Sequence, residues 1–240
     1  MAKLHIWHRY IGVTASLFVI VLSATGLFLN FSDTLKLNKS HISTAWLLNH
    51  YNIGEFSVTS FQTNGHLVSQ ASNYIYLNGH YALNLKQSLV GALYLDDFIL
   101  LATQSSLVLI DHDGQIVDEI GKYTGLPENP LGISITSNGH PVIRGVNTYW
   151  KGSKELSAWQ PLKGPHPKWV APTHTPNDID KLIQEHARSN EINYERVLLD
   201  LHSGRLLGGW GQNIMSIAAI LLLILAFTGI IIWLRKKPNQ

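Results

Sequence analysis

The twelve histidines of this 240-residue chain are the residues best suited to cofactor or metal chemistry, because the sequence contains no cysteine and only two methionines. Without thiolates, a bound cofactor or ion must be held by histidine, methionine, tyrosine or carboxylate side chains. His5 and His8 lie at the edge of a long apolar stretch, and His202 lies shortly before a second one. Ionisable groups at the edge of a membrane span are costly, so each of these positions is a hypothesis for a functional site.

Small and polar residues recur along the first apolar stretch at steps of three or four. In a helix these positions share one face, and the two histidines lie directly above it. Small residues let a second helix approach closely. That helix is either the same helix of a second copy, in a two-fold dimer, or the second apolar stretch of the same chain. The stripe comprises His5, His8, Gly12, Ser16, Val19, Ser23, Gly26 and Asn30.

Acidic residues flank one histidine in the middle of the chain, in the run Asp111, His112 and Asp113. Carboxylate oxygens with an imidazole could hold a hard ferric ion, although acid-rich hairpin tips are more often plain turns. The sequence contains no hydrolytic triad, phosphate loop, zinc motif or dinucleotide fingerprint. A formal charge of +2 is too small to indicate a nucleic-acid partner.

Two stretches, Tyr10–Phe31 and Asn213–Leu234, each contain twenty-two residues without an acid or a base. At about 1.5 Å per residue, each is long enough to cross a hydrocarbon layer of about 30 Å. Residues 23–26 resemble a signal-peptide cleavage site, but the apolar run exceeds the usual length of about 7–15 residues. The sequence therefore predicts two membrane spans. A Thr-Gly dipeptide occurs in both of them, and tight helix packing explains it without a function.

Basic residues lie at the outer ends of both spans. Lys3 and Arg9 precede the first, and Arg235, Lys236 and Lys237 follow the second. Positive charge marks the cytoplasmic side of a membrane protein, so both termini are expected in the cytoplasm and the central region outside it.

The central region alternates short β-type runs with turn residues. Asn78-Gly79 and Asp113-Gly114 are hairpin signals, because a type I′ turn requires positive φ at both central positions. Only about three propeller-like units fit, so a small sandwich or an open meander is expected rather than a closed propeller. The predicted runs are HLVSQAS, YIYLNG, HYALNL, LVGALYL, DFILLATQ, SLVLIDHDG and QIVDEI.

A proline-rich strap, Pro161–Pro176, should run extended over the surface. A helix is predicted to begin at Asn177, followed by a strand pair that turns at Ser203-Gly204. The sequence thus predicts an α+β membrane protein with two transmembrane helices, an antiparallel β-rich periplasmic domain and a small helix-plus-hairpin. The expected segments are 1–9 (cytoplasmic), 10–31 (first span), 32–176 (β-rich domain), 177–211 (helix and hairpin), 212–234 (second span) and 235–240 (cytoplasmic).

The opening LHIWHRYIGVTASLFVIVLSATGLFLNF and the closing VLLDLHSGRLLGGWGQNIMSIAAILLLILAFTGIIIWLRKK resemble the first and last segments of PepSY-associated transmembrane proteins. The helix and hairpin at 177–211 are similar to the PepSY module. Some members of that family are inner-membrane ferric reductases carrying haem b. The chain looks closest to a small two-span type, the VciB type, linked to ferrous iron uptake in Gram-negative bacteria. Larger members have four spans and more intramembrane histidines.

The resemblance implies haem b, and histidine is then the expected axial ligand. His8 is the first choice, because Gly12 one turn further in leaves space for a flat macrocycle. An interfacial histidine that only anchors the helix would have the same pattern. His5 is too close to His8 on the helix to ligate the opposite haem face. His5 is expected to contact a propionate or a quinone, or to be plain surface. Arg9 and Gly12 are expected around the haem, and Arg205 is expected near a propionate.

His202 is expected on the opposite membrane face, about 30 Å from His8, so the two cannot share one iron. It is either a second haem ligand or a residue that only caps the hairpin turn. Because the second span contains no histidine, a homodimer in which His8 of each chain meets the other is the favoured assembly, packed through Gly12, Ser16, Ser23 and Gly26.

These features predict a bacterial inner-membrane ferric reductase. Its expected partners are membrane lipid, a quinol or flavin electron donor on the cytoplasmic side, ferric iron and a ferrous iron transporter. The alternative is a non-enzymatic, membrane-anchored PepSY-type module that binds or regulates a transporter or a protease.

Overall fold

The structure is a computed structural model that describes residues 2–165 and 167–235. The chain divides into two compact units. One comprises the chain up to Leu47 together with the chain from Asn190 onward, and the other is Leu48–Ser189. The two units carry different classes of secondary structure, and each is described by itself.

Long apolar helices dominate the first unit. Helix α1 spans Ala2–Asn30, α4 spans Tyr194–Ser203 and α5 spans Gly208–Arg235, and α1 packs against both α4 and α5. Large apolar side chains face outward on both long helices; Leu17 and Phe227, for example, are each 65% exposed. Two segments have the length and composition of membrane spans, His5–Asn30 and Arg205–Arg235. The helices predicted by the two charge-free runs are present. Helix α1 begins before the predicted span and ends one residue short of it, and α5 extends beyond its predicted span at both ends.

Helix α4 replaces the strand pair that was predicted from Tyr194 to Gly211, and that prediction was wrong. Its caps explain the helix. The Asn193 side chain accepts a hydrogen bond from the backbone N–H of Arg196, and Gly204 ends the helix in a left-handed conformation with φ of 77°. Arg196 and Asp200 form an i,i+4 ion pair at 3.0 Å. The Ser203-Gly204 dipeptide is therefore a helix end, not a hairpin turn.

The second unit is built from antiparallel strands, as predicted. The described part of the chain contains three four-stranded sheets, each a simple meander in which consecutive strands pair. The predicted meander is confirmed, whereas a two-sheet sandwich is not formed by these residues. Asn78 and Gly79 both have positive φ, as their hairpin turn requires, whereas of Asp113 and Gly114 only Gly114 does. The strands are β1 Val58–Thr63, β2 His66–Ala71, β3 Tyr74–Leu77, β4 His80–Asn84, β5 Leu89–Leu95, β6 Phe98–Thr103, β7 Ser106–Ile110, β8 Ile116–Gly121, β9 Gly132–Ile135, β10 Pro141–Arg144, β11 Tyr149–Gly152 and β12 Trp159–Pro161.

The first strands of the three sheets lie side by side, since β1 contacts β5 and β5 contacts β9. The proline-rich strap links the third sheet to the first. The N–H of Val170 donates to Ile133 O of β9 at 3.0 Å, and the N–H of Thr173 donates to Ser60 O of β1 at 2.7 Å. Val170 also packs against two of the hydrophobic clusters of this unit. The strap thus lies between the first strands of the third and first sheets, where a propeller would have a further blade.

Two shorter helices complete the described structure, α2 (Ala45–His50) and α3 (Asn177–Ser189). Helix α3 covers the first sheet, with Ile183 and Ala187 fully buried against Ala71 and Tyr76. It belongs to the β-rich unit, whereas α4 belongs to the helical unit. The predicted helix-and-hairpin domain, 177–211, is therefore not a single unit.

Candidate functional site

His8 lies in the first turns of α1, and its ring contacts the last turns of α5. The ring Nδ1 is 2.8 Å from Thr228 Oγ1. The same hydroxyl donates its single proton to Ile224 O at 2.7 Å, within its own helix. With that proton on the bond to Ile224 O, the threonine oxygen accepts from His8, and Nδ1 of His8 carries the proton. In this tautomer the lone pair is on Nε2, the nitrogen that can bind a metal.

His202, in the last turn of α4, has the same arrangement. Its Nδ1 is 2.8 Å from Thr25 Oγ1, and Thr25 donates its proton to Val21 O at 2.7 Å. With that proton on the bond to Val21 O, Nδ1 of His202 is the donor and the lone pair is on Nε2. Both rings are half-buried, and Thr25 is 5% exposed. Each of the two histidines therefore has a threonine partner for Nδ1, an arrangement that leaves Nε2 available for ligation.

A glycine follows each of these threonines and lies beside the imidazole. A Cβ at Gly229 would be 3.5 Å from His8 Cε1, and a Cβ at Gly26 would be 3.5 Å from His202 Cε1. Each ring thus rests on a Thr-Gly dipeptide of another helix. Close helix packing, which the sequence indicates for the repeated dipeptide, is present. The structure adds that each threonine holds a histidine.

The two histidine sites lie at opposite ends of the helix pair. His8 and Gly26, which marks the position of His202, are eighteen residues apart on α1. At about 1.5 Å per residue this corresponds to about 27 Å along the helix axis. One metal or one cofactor cannot contact both, in agreement with the spacing expected from the sequence.

The stripe of small residues on α1 is divided between two environments. A Cβ at Gly12 would lie 3.9 Å from Leu225 Cδ2, so Gly12 and Gly26 both face other helices of the same chain. Ser16 and Ser23 are exposed, and the residue that is fully buried in this part of α1 is Ala15. Intramolecular packing therefore accounts for the two glycines, and the two serines remain on an uncovered face.

The residues expected around the histidines are exposed. His5 and Arg9 lie on the surface of α1, where the Arg9 guanidinium is 5.5 Å from the ring centroid of Tyr10. Arg205 is exposed in the short 3₁₀ turn before α5. The roles of these three side chains near a cofactor stay predictions.

Asp111, His112 and Asp113 do not converge on a common point. Asp111 Oδ1 accepts hydrogen bonds from the backbone N–H groups of Asp113 at 3.0 Å and Gln115 at 2.8 Å, which stabilises the turn. The ring of His112 lies instead beside that of His66, with a centroid distance of 5.4 Å. Within residues 2–165 and 167–235, no group of three or more His, Asp or Glu side chains is arranged to hold a metal ion.

Sequence reasoning missed an aromatic cluster around His186 of α3. Tyr76 Oη is 3.0 Å from His186 Nδ1, and the rings of Tyr81 and His186 stack at 4.9 Å. Burial raises the pKa of Tyr76, and the nearby phenols of Tyr74 and Tyr81 raise it further. The apolar period of the helix placed His186 on its buried face, which was the signal that could have located this cluster.

Comparison with known proteins supplies the family. Residues 98–240, more than half of the chain, match the family described as PepSY-associated TM region. The chain belongs to this family. It is a membrane protein, and α4, α5, His202, Thr228 and Gly229 lie within the matched residues of this PepSY-associated protein, whereas α1 with His8 and Thr25 precedes them. A search of curated proteins finds no match to the chain.

Proposed function

We propose that this PepSY-associated protein is a haem b-containing electron-transfer protein that passes electrons across the bacterial inner membrane to ferric iron. The observation that carries the proposal is the pair of imidazoles, His8 and His202, each bonded through Nδ1 to a threonine whose hydroxyl can donate to a carbonyl of its own helix. The finer assignment, to a small two-span type that supports ferrous iron uptake, rests on the sequence resemblance.

The residues fit a b-type haem. Haem iron takes neutral imidazole nitrogens, and a ligating histidine typically donates its other N–H to an acceptor that fixes the ring. His8 and His202 have this second bond in place. The apolar side chains exposed on α1 and α5 would surround the macrocycle. When bound, the haem supplies one-electron redox chemistry, and the chain supplies ligands, orientation and the potential.

Two haem levels follow from the arrangement, because His8 and His202 lie at opposite ends of the helix pair. At each end of the helix pair, one chain supplies one histidine that is hydrogen-bonded to a threonine. A haem with two axial histidines at either level therefore requires a second copy of the chain, related by a two-fold axis. The exposed Ser16 and Ser23 of α1 offer the face on which two copies would approach. We propose a homodimer on this basis.

The charge pattern sets the proposed direction of transfer. Basic residues flank both spans on one side, which orients both termini toward the cytoplasm and residues 32–211 toward the periplasm. His8 would then lie on the cytoplasmic side, accessible to a quinol or a flavin, and His202 on the periplasmic side. Ferric iron is the substrate, and a ferrous iron transporter is the partner that would take the product.

An absorption spectrum of the purified protein tests the proposal. Full-length protein, expressed with adequate haem and purified in mild detergent, should show a Soret band and, on reduction, the α and β bands of a b-type cytochrome. Protein in liposomes with an internal reductant should then reduce an external ferric chelate. A colourless protein would overturn the proposal, and co-purification of that colourless protein with a transporter or a protease would favour the non-enzymatic binding module instead.

A further inference from the structure

Three aromatic rings from separate segments meet on the surface of the β-rich unit. The rings of His66 and Tyr94 stack with an interplanar angle of 8° and a centroid distance of 6.0 Å. The ring of His112 lies 5.4 Å from His66 and 5.9 Å from Tyr94. His66 and Tyr94 are partly buried, whereas His112 is exposed. We refer to His66, Tyr94 and His112 as the two-histidine cluster.

Rigid elements bring the cluster together. His66 is the first residue of β2 and pairs with Thr63 across a tight turn, and Tyr94 lies within β5. His112 sits in the turn after β7, which Asp111 stabilises through its side chain. Gly114 in the same turn has φ of +78°, and a Cβ there would lie 2.6 Å from the Cβ of Ala82. The turn of the second sheet is therefore seated closely on β4 of the first sheet.

The spacing of the two imidazoles fits chelation of one ion. A metal about 2.1 Å from one nitrogen of each ring, with ligands at tetrahedral or right angles, would hold the ring centroids about 5 Å apart. The observed centroid distance is 5.4 Å. Imidazole nitrogens select zinc, copper, nickel and iron over magnesium and calcium, which prefer oxygen ligands.

We propose that His66 and His112 form a binding site for a divalent first-row transition-metal ion. The stack with Tyr94 orients His66, and the braced turn orients His112. Because the described residues place no third His, Asp or Glu in a metal-binding group there, water completes the coordination and the ion exchanges readily. This site lies wholly within the β-rich unit and does not depend on the haem proposal.

Zinc and copper titrations of tag-free, full-length protein in detergent test the site. The expected result is one Zn²⁺ site, measured by calorimetry, whose affinity falls at least tenfold in His66→Ala and in His112→Ala. The same site should give a Cu²⁺ electron paramagnetic resonance signal with two imidazole nitrogens, reduced to one in each single variant. His174→Ala, which removes an exposed histidine of the strap, is the matched control and should bind as wild type does.

Unchanged Zn²⁺ affinity and an unchanged two-nitrogen copper signal in His66→Ala and His112→Ala would overturn the proposal. A wild-type protein that binds no Zn²⁺ with a Kd below about 1 mM would overturn it as well. If an alanine variant unfolds at a lower temperature, His66→Gln and His112→Gln, which keep a polar side chain, provide the same comparison. Haem spectra recorded on the same samples should not change, so failure of this proposal is distinguishable from failure of the haem proposal.

Discussion

His8 Nδ1 lies 2.8 Å from Thr228 Oγ1, although 220 residues separate the two in the chain. The contact joins the start of the first long helix to the end of the second. Its counterpart joins His202 to Thr25 at the other end of the helix pair, also at 2.8 Å. In both cases the threonine hydroxyl is also within hydrogen-bond distance of a carbonyl of its own helix, so the two ends of the helix pair carry equivalent arrangements.

If the proposed two haem levels are present, replacing His8 with alanine should remove about half of the bound haem, because the level at His8 would lose its ligands while His202 would keep the other. The measurement is haem content per protein, from the pyridine haemochrome and the Soret absorbance. His202→Ala should remove the other half, and the double variant should be colourless. His174→Ala, at an exposed position of the proline-rich strap, is the control and should keep the full spectrum. A full spectrum in His8→Ala would show that His8 is not a ligand.

If His8 is a haem ligand as proposed, replacing Thr228 with valine should weaken its ligand field without removing the ligand. Valine has nearly the shape of threonine but cannot accept the Nδ1–H bond, and loss of such a partner typically lowers metal affinity about 10–100-fold. The reduction potential of the haem at this level should shift, and Thr228→Ser should restore it.

Haem-free protein provides an independent check of the Thr228 prediction. Nitrogen-15 spectra of labelled histidine should show the Nδ1–H tautomer for His8 in the wild type and a mixture of tautomers in Thr228→Val. If both proteins show the same tautomer, the hydrogen bond does not fix the ring. This measurement is unaffected by whether the protein binds haem.

Cysteine substitution at Ser16 should produce a cross-linked dimer. The wild-type chain has no cysteine, so a single introduced thiol reports on its own position. Ser16 is exposed on the α1 face that also carries Ser23. Mild oxidation in membranes should therefore link two copies of Ser16→Cys, and likewise two copies of Ser23→Cys. Leu17→Cys, 65% exposed but about 100° away around the helix, is the control and should link far less. Equal cross-linking at Ser16 and Leu17 would contradict the proposed dimer face.

Replacing Tyr76 with phenylalanine should lower the free energy of unfolding by about 1 kcal/mol at neutral pH, the usual net value of one hydrogen bond. The bond that is lost joins Tyr76 Oη to His186 Nδ1 at 3.0 Å. Tyr123→Phe, at a fully exposed position, should have no effect. Thermal unfolding followed by circular dichroism provides the comparison.

The same tyrosine should make the protein less stable at alkaline pH. Burial raises the pKa of Tyr76 in the folded protein, so its contribution is complete below about pH 10, the pKa of an unfolded tyrosine. As the pH rises above that value, the unfolded chain loses the proton first and the free energy of unfolding falls. Tyr76→Phe should show a smaller alkaline loss than the wild type. An identical loss in both proteins would assign the effect to other groups.

Local pattern was sufficient for much of the fold. The absence of charged residues over twenty-two positions predicted both long helices. Alternation of apolar and polar residues between turn residues predicted strands from His66 to Ile120. It failed between Tyr194 and Ser203, where Val-Leu-Leu-Asp-Leu suits either a strand or a helix. There the Asn193 cap and the Arg196–Asp200 pair favour the helix.

The candidate site was only partly accessible from the sequence. His8 and His202 were chosen because they flank apolar stretches, which is a property of the sequence itself. The sequence suggested that Asp111, His112 and Asp113 could hold one ferric ion. In the structure, the Asp111 carboxylate accepts hydrogen bonds from backbone N–H groups of its own turn, and the His112 ring lies beside His66. Such pairings depend on how one sheet is seated on another.

The sequence by itself determined the two apolar helices, the β-rich region between them and the identity of the histidines nearest the spans, because each of these follows from residue type and short-range periodicity. Only the tertiary structure decided that Thr228 bonds His8 and that Thr25 bonds His202. Those contacts span 220 and 177 residues in the chain. They form because the packing of α1 against α4 and α5 brings each histidine next to its threonine.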